Sequence, residues 1–170
     1  MEDLGLKRGT VRLVPHKASW HQTYVDEARR IQNALHIEAS FIQHVGSTSI
    51  PHIVAKPILD IAVKADSLDI VNVWIEPLET LGYHYKGLEP HMPQRRFFAK
   101  GPEELRKVYL HVVDSNEFNK LVTFRDALTA NDRLAREYSR LKKKLATAHA
   151  NDRTQYTRLK NEFISNVLNR

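Results

Sequence analysis

The sequence predicts a mixed α/β fold in one domain, with an α/β core over about residues 11–114 and a helical part over about 115–170. Three observations carry this. Runs rich in β-branched and aromatic residues, SFIQHV at 40–45, PILDIAVK at 57–64, RRFFAK at 95–100 and VYLHVVD at 108–114, read as strands. Apolar residues at helical spacing fill 19–36 and 67–81 and take over entirely after residue 115. No repeat, low-complexity tract or linker interrupts a chain whose 170 residues suit a single core.

Taken in order, VRLV at 11–14 reads as a short strand or an extended lead-in, closed by Pro15. Ser19 followed by Gln22 has the capping-box pattern, and Trp20, Tyr24, Ala28, Ile31 and Leu35 then recur on one helical face. The two strands at 40–45 and 57–64 flank GSTSIPHIVAK, a stretch of turn residues. Ser67 opens a second helix with Ile70, Val71, Trp74, Ile75 and Leu78 inward and Gly82 as its stop. YHYK at 83–86, RRFFAK and VYLHVVD follow as an antiparallel meander, with His91 and Met92 expected in a loop over the pocket. Three helices complete the chain at about 116–130, 132–148 and 152–169, starting at Asn131 and at Asn151 or Asp152.

Composition narrows the chemistry. With no cysteine there is no disulfide and no thiolate metal site, so a metal would rest on His, Asp or Glu. Nothing approaches the roughly 18 apolar residues of a membrane span, and a cytoplasmic protein with no membrane partner is expected. A net charge of +6 calls for an anionic partner: a nucleotide, a polyphosphate, RNA or an acidic protein. Much of the excess lies in the last third, at Arg133, Arg136, Arg140, Lys142, Lys143, Lys144, Arg153, Arg158, Lys160 and Arg170; a solvated helix face is favoured there over a nucleic-acid surface.

The turn His44-Val45-Gly46-Ser47-Thr48-Ser49 carries the chemistry. Gly46 lets backbone approach a ligand, and the Ser47 and Thr48 hydroxyls suit phosphate oxygens. Asp60 arrives 13 residues after Ser47 inside an apolar strand, where an unpaired charge is costly and wants a metal or a cation. Asp60 is thus either a metal ligand or a buried acid paired with Lys56, His44 or an arginine. Lys56, stiffened by Pro57, is a candidate to neutralise phosphate. His44 is a candidate ligand, proton shuttle or core histidine, and His111 is expected to face Asp60. A third acid would come from Asp114 or Glu117. Of Arg95 and Arg96, Arg96 is preferred as a phosphate ligand, and Arg125 and Asp126 are further residues within potential reach of the site.

Strand, Gly-Ser, short turn, strand with acid resembles the signature of the polymerase-β-like nucleotidyltransferase superfamily, in which Gly-Ser holds the triphosphate and acids on the following strands bind magnesium. That superfamily's second strand carries two acids two positions apart; here Asp60 is followed by Ala62. The segment HVGSTSIPHIVAKPILDI at 44–61 is similar to the HxGSTxxPxxxxKPxxDI core of the GrpB family, and the resemblance continues through VPHKASW, LGY, RRFFAK, LHVV, FRDAL, EYSRLKKKLA and NDRTQYTRLKNEFI. It implies a mixed nucleotidyltransferase-like sheet flanked by helices, in a family also found fused to dephospho-CoA kinase domains. Its motif residues here are His44, Gly46, Ser47, Thr48, Pro51, Lys56, Pro57 and Asp60. Where relatives have an HHLHV-type strand this chain keeps only His111.

The expectation is therefore a protein that binds a nucleotide or other phosphorylated small molecule and transfers a nucleotidyl or phosphoryl group. Magnesium or manganese would be held by Asp60 and Asp114, with Asp60, His44 and His111 catalytic and Gly46, Ser47, Thr48, Lys56 and Arg96 on the phosphates. The alternatives are a degenerate module that binds nucleotide without turnover, and a binder of RNA or acidic protein through the basic helices.

Overall fold

Two parallel strands covered on both faces organise the molecule. They are β3 (Leu59–Lys64) and β7 (Val108–Val113), and their near-continuous apolar sequences, LDIAVK and VYLHVV, are what burial on both faces demands. The computed structural model describes the backbone of residues 1–89 and 92–169. Around this pair lie β2 (Ile42–Val45), antiparallel to β3, then β5 (Met92–Lys100) and β4 (Tyr83–Glu89), giving the mixed order β2-β3-β7-β5-β4. The meander of β4, β5 and β7 is as expected. His91 lies outside the described residues, and Met92 opens β5.

One face of the sheet is sealed by α1 (Ser19–Leu35) and α2 (Val71–Thr80), whose Trp20, Ile31, Leu35, Trp74 and Leu78 pack on Leu59, Ile61, Val63, Phe98 and Leu110. Trp20 and Ile31 are fully buried, each a gain of about 1.5–3 kcal/mol in transfer terms. The other face is divided. Towards the C-terminal ends of β3 and β7, α3 (Ser115–Ala130) lays Phe118, Leu121 and Val122 over Val45, Ala62 and Val113. Towards their N-terminal ends, β1 (Leu6–Lys7) pairs with β6 (Leu105–Arg106) in a separate two-stranded ribbon, and Leu6 packs on Ile58, Ala99 and Tyr109.

The remaining helices, α4 (Asp132–Ala148) and α5 (Arg153–Leu168), pack on α3 and on the loop after the Gly-Ser turn: Ile50 and Ile53 insert among Leu128, Leu134, Tyr138 and Val167. Asp114, Asn131 and Asp152 cap α3, α4 and α5 by accepting from the backbone of Glu117, Leu134 and Gln155.

Some local expectations are corrected. Of the two readings of residues 11–14 the extended lead-in holds and the strand does not; Val11 N donates to Ala150 O and Val14 bridges Ala55, so their backbone groups strap the helical part to the core instead of joining a sheet. Ser19 is not a cap, since its hydroxyl donates to Asp3 and Ala18 holds the cap position. The second helix begins with a 3-10 turn at Leu68–Ile70 capped by Ser67. Among the described residues no helix is long and apolar enough to cross a membrane.

Glu27 of α1, 2% exposed, meets Lys100 of β5 at 2.6 Å and ties helix to sheet. Removing one partner of such a pair strands the other charge. Lys100→Met should lower unfolding free energy by about 3–5 kcal/mol in urea melts, and adding Glu27→Leu should restore most of it; equal additive losses would refute the coupling.

Candidate functional site

Strand parity sorts the predicted residues. Asp60 is in register with Val45 of β2 and Tyr109 of β7, and Ala62 with His111, so Asp60, Ala62, Tyr109 and His111 share the face covered by α3 and the ribbon. His44 pairs with Ile61 and Arg96 with Val112, which puts both on the opposite face under the helices. The structure thus joins Asp60 to His111, Nε2 to Oδ1 at 3.5 Å, and brings neither His44 nor Arg96 into contact with the carboxylate. Arg95, in register with Val113, is the arginine on the Asp60 side; its Nε lies 3.0 Å from Glu117 Oε1.

The turn between β2 and β3 explains why glycine stands at 46. Gly46 has φ 69°, and a Cβ there would stand 2.8 Å from Asp60 Cβ and 2.9 Å from its Cγ. The Asp60 side chain occupies the space a Cβ at 46 would need, so any larger residue would displace it. Ser47, Thr48 and Ser49 then form one 3-10 turn. Thr48 is buried and spent on His44, whose Nε2 is 3.0 Å from its hydroxyl, while Ser49 donates to Gly46 O at 2.6 Å. Ser47 is half-buried, and its hydroxyl is hydrogen-bonded with the Tyr138 hydroxyl of α4.

His44 serves the turn from behind. Its ring stacks on Tyr24 at 4.9 Å, and burial drives its pKa from 6.5 to about 3, against a smaller opposing pull from Asp60, so it is a neutral imidazole at ordinary pH. The outer edge of β2 is closed by side chains: Tyr24 donates to Ile42 O at 2.9 Å, and Arg125 to His44 O at 2.9 Å and to Gln43 at 2.8 Å. Arg125 therefore clamps the strand that carries the turn. A cleft of about 290 Å³ beside it is lined by Tyr24, Gln43, His44, Ser49 and Arg125, and excludes Asp60, Ser47 and Lys56.

Around Asp60 the electrostatics are mixed. Burial would raise its carboxyl, but the His111 hydrogen bond and charge, then Lys56 and Lys160, outweigh it and hold the carboxyl below the usual range. The Lys56 ammonium sits 5.3 Å from the Tyr156 ring centroid and that of Lys160 4.8 Å from the same ring. Sequence reading placed Lys160 among solvated helix charges and missed Tyr138 and Tyr156 as neighbours of the turn; an ammonium four positions after a tyrosine on one helix was the available signal.

The acids expected to complete a metal site do not come together. Asp114 lies five residues along β7 from Tyr109, the partner of Asp60, about 16 Å at strand rise, and its carboxylate caps α3. Glu117 is committed to Arg95. Ala62, where a second carboxylate would stand, is fully buried with Val45, Val113 and Phe118. Among the described residues no three His, Asp or Glu side chains group closely enough to hold an ion. Asp60 and His111 offer one oxygen and one nitrogen, which fit an ion only when a ligand supplies further oxygens. His111 Nδ1 is buried and has no partner among the described residues, so the ring lacks the usual outer-shell anchor of a metal ligand.

Two outcomes follow. Unfolding at low pH lets His44 take up a proton the folded chain resists, so stability should fall by about 2 kcal/mol from pH 7 to pH 5; His44→Gln should lose about that much less over the same range in urea melts. An unchanged pH slope would place the titration elsewhere. Ala62→Asp buries a carboxylate in an apolar cluster and should cost several kcal/mol, with no gain in manganese affinity by calorimetry.

Comparison with known proteins bears on the family and the fold. The chain is 36% identical over 172 residues to the glutamate-rich protein GrpB of Alkalihalophilus pseudofirmus, covering 98% of each. The crystal structure of conserved protein GrpB from Enterococcus faecalis superposes with a TM-score of 0.81 at 29% identity, covering 93% of this chain and 95% of that one. The Cid1 poly(U) polymerase, with MgGTP bound, matches at a TM-score of 0.54 and 13% identity over 78% of this chain and 44% of its own, a likeness of fold that makes the sheet nucleotidyltransferase-like. The family model described as GrpB protein matches residues 10–170, and the chain belongs to the GrpB family.

Proposed function

We propose that this protein binds a nucleotide or another phosphorylated small molecule at the Gly46–Ser47 turn. One magnesium or manganese ion would be shared by Asp60, His111 and the ligand's phosphate oxygens. The observation that carries this is the contact of the Asp60 carboxylate with Gly46: it sets the acid against the backbone of the turn that Ser47 continues and within the field of the Lys56 ammonium, elements suited to grip phosphate and ion together. Ser47 would donate to a phosphate oxygen, Lys56 would offset charge, and a bound ion would polarise the phosphoryl group. That the fold neighbour Cid1 was solved with MgGTP bound supports a nucleotide as the ligand class.

Such a site has two uses: transfer of a nucleotidyl or phosphoryl group, and binding without turnover. The apolar burial of Ala62 favours the second, because a two-ion transfer needs a carboxylate where the core has none.

The test is thermal unfolding of wild type and Asp60→Ala with ATP, CTP, GTP or UTP, with and without magnesium or manganese. A ligand at 100 times its Kd adds about 2.7 kcal/mol, a rise of roughly 5–10 °C for a chain of this size. A metal-dependent rise confined to wild type is expected. No rise with any nucleotide would overturn the proposal, and labelled product from wild type would overturn the reading without turnover.

A further inference from the structure

Two segments that carry the family resemblance, HVGSTS at 44–49 and FRDAL at 124–128, supply side chains that the proposed phosphate site leaves unused: His44, Arg125 and Asp126. Phe124 and Leu128 pack in one cluster with Ile50 and Ile53, which accounts for the apolar half of FRDAL and not for its charged pair. The fold brings the three unused side chains to one place. They line the cleft of about 290 Å³ that lies across the edge of β2 between α1 and α3, and neither Asp60 nor Lys56 reaches it.

Bonds made at the back of this cleft decide what it offers. His44 is 6% exposed and neutral; Thr48 is 2% exposed, and His44 Nε2, at 3.0 Å, is the sole partner of its hydroxyl among the described residues. A buried hydroxyl proton needs an acceptor, so Thr48 donates to Nε2 and the ring keeps its own proton on Nδ1. Among the described residues Nδ1 has no acceptor, and unlike His111 Nδ1 it is not sealed from solvent. Arg125 donates from Nη1 to Gln43 Oε1 at 2.8 Å and His44 O at 2.9 Å, and from Nε to Asp126 Oδ1 at 2.7 Å, which leaves Nη2 without an acceptor among the described residues. The cleft also holds an acceptor: Asp126 keeps one carboxylate oxygen outside the ion pair, on a side chain 58% exposed.

The charges of Arg125 and Asp126 cancel beside a neutral imidazole, and this selects the ligand. A bare anion is attracted by the guanidinium and repelled by the carboxylate, and a bare cation meets the reverse. A molecule that carries both charges a few ångströms apart is attracted by both. Its carboxylate has two oxygens for the Nδ1 and Nη2 donors, and an ammonium beside it has three N–H groups for Asp126. The volume is at the low end of the roughly 300–1,000 Å³ usual for small-molecule sites, which limits the occupant to about the size of an amino acid. We infer that this cleft binds a free α-amino acid, with its carboxylate on His44 Nδ1 and Arg125 Nη2 and its ammonium on Asp126. The site is separate from the one at Gly46–Ser47 and does not depend on it.

Titration calorimetry with each of the twenty α-amino acids, and with acetate, methylamine and inorganic phosphate, tests it on wild type, Asp126→Asn, Asp60→Ala and Glu162→Gln. Glu162 is an exposed acid of α5 and controls for general charge. Wild type should bind at least one amino acid about tenfold or more tighter than acetate, methylamine or phosphate. Asp126→Asn should weaken that amino acid about tenfold or more and strengthen acetate, because the cleft then carries one positive charge, while Asp60→Ala and Glu162→Gln should stay within about twofold. Circular dichroism melts establish that each variant is folded. In nitrogen-proton spectra of the imidazole rings, the His44 Nδ1 signal should move on binding and that of His111 should not. No amino acid bound more tightly than acetate, or equal affinity in wild type and Asp126→Asn, would overturn the inference. Binding lost in Asp60→Ala and kept in Asp126→Asn would overturn it as well and place the ligand at the Gly46–Ser47 turn.

Discussion

The packing of the Asp60 carboxylate against the backbone of Gly46 is the constraint on which the site depends. Asp60 can stand in β3 only because its register partner, Val45, is followed by a residue with no Cβ and φ 69°. The turn then closes in one 3-10 step, fixed by Thr48 on His44 behind and by Ser49 on Gly46 O within. His44, Tyr24 and Arg125 form a support behind the turn, holding the short edge strand β2 by its outward carbonyls. The division of labour is by strand face: alternate residues either serve the carboxylate or serve the scaffold, and adjacent ones cannot exchange roles.

Parity also explains what could be read from the chain and what could not. Strand and helix positions were legible because apolar spacing and the caps at Asn131 and Asp152 are local signals. The pairing of Asp60 with His111 was legible too, since alternation in VYLHVV left His111 on the polar side once the two strands were neighbours. The choice between Arg95 and Arg96 was not, because a one-residue change of register exchanges the faces and only the pairing of Arg95 with Val113 settles it. Asp114 is hard to read for a related reason: it looks like a strand-end acid in sequence, and its capping role emerges only when Glu117 N–H donates to its carboxylate at the start of α3.

Tertiary docking hid the rest. Nothing in VRLV at 11–14 shows that its hydrogen bonds will go to Ala150 and Ala55, and nothing in the amphipathic pattern of α4 shows that Tyr138 will meet Ser47. Lys142 is instructive: by composition it is one more lysine in a basic run, yet it is 1% exposed, its ammonium on Val54 O and 4.6 Å from the Tyr138 ring. Burial lowers its pKa well below the ordinary value, so this lysine contributes packing and one hydrogen bond more than surface charge. A count of basic residues therefore overstates the cationic surface and understates how firmly the helices grip the turn.

The missing second acid follows from the same architecture. α3 starts directly after β7, capped by Asp114, and lies across β2 and β3 with Phe118 against Ala62 and Val45. A carboxylate at position 62 would require that helix to lift, which would also loosen Arg125 from His44 O and Glu117 from Arg95. The chain thus holds its turn rigid at the expense of the room a two-carboxylate centre needs. What remains is one acid, one imidazole and cations contributed by both the loop and α5. On the proposed reading such a set would recognise phosphate charge and would have little with which to activate a second oxygen nucleophile.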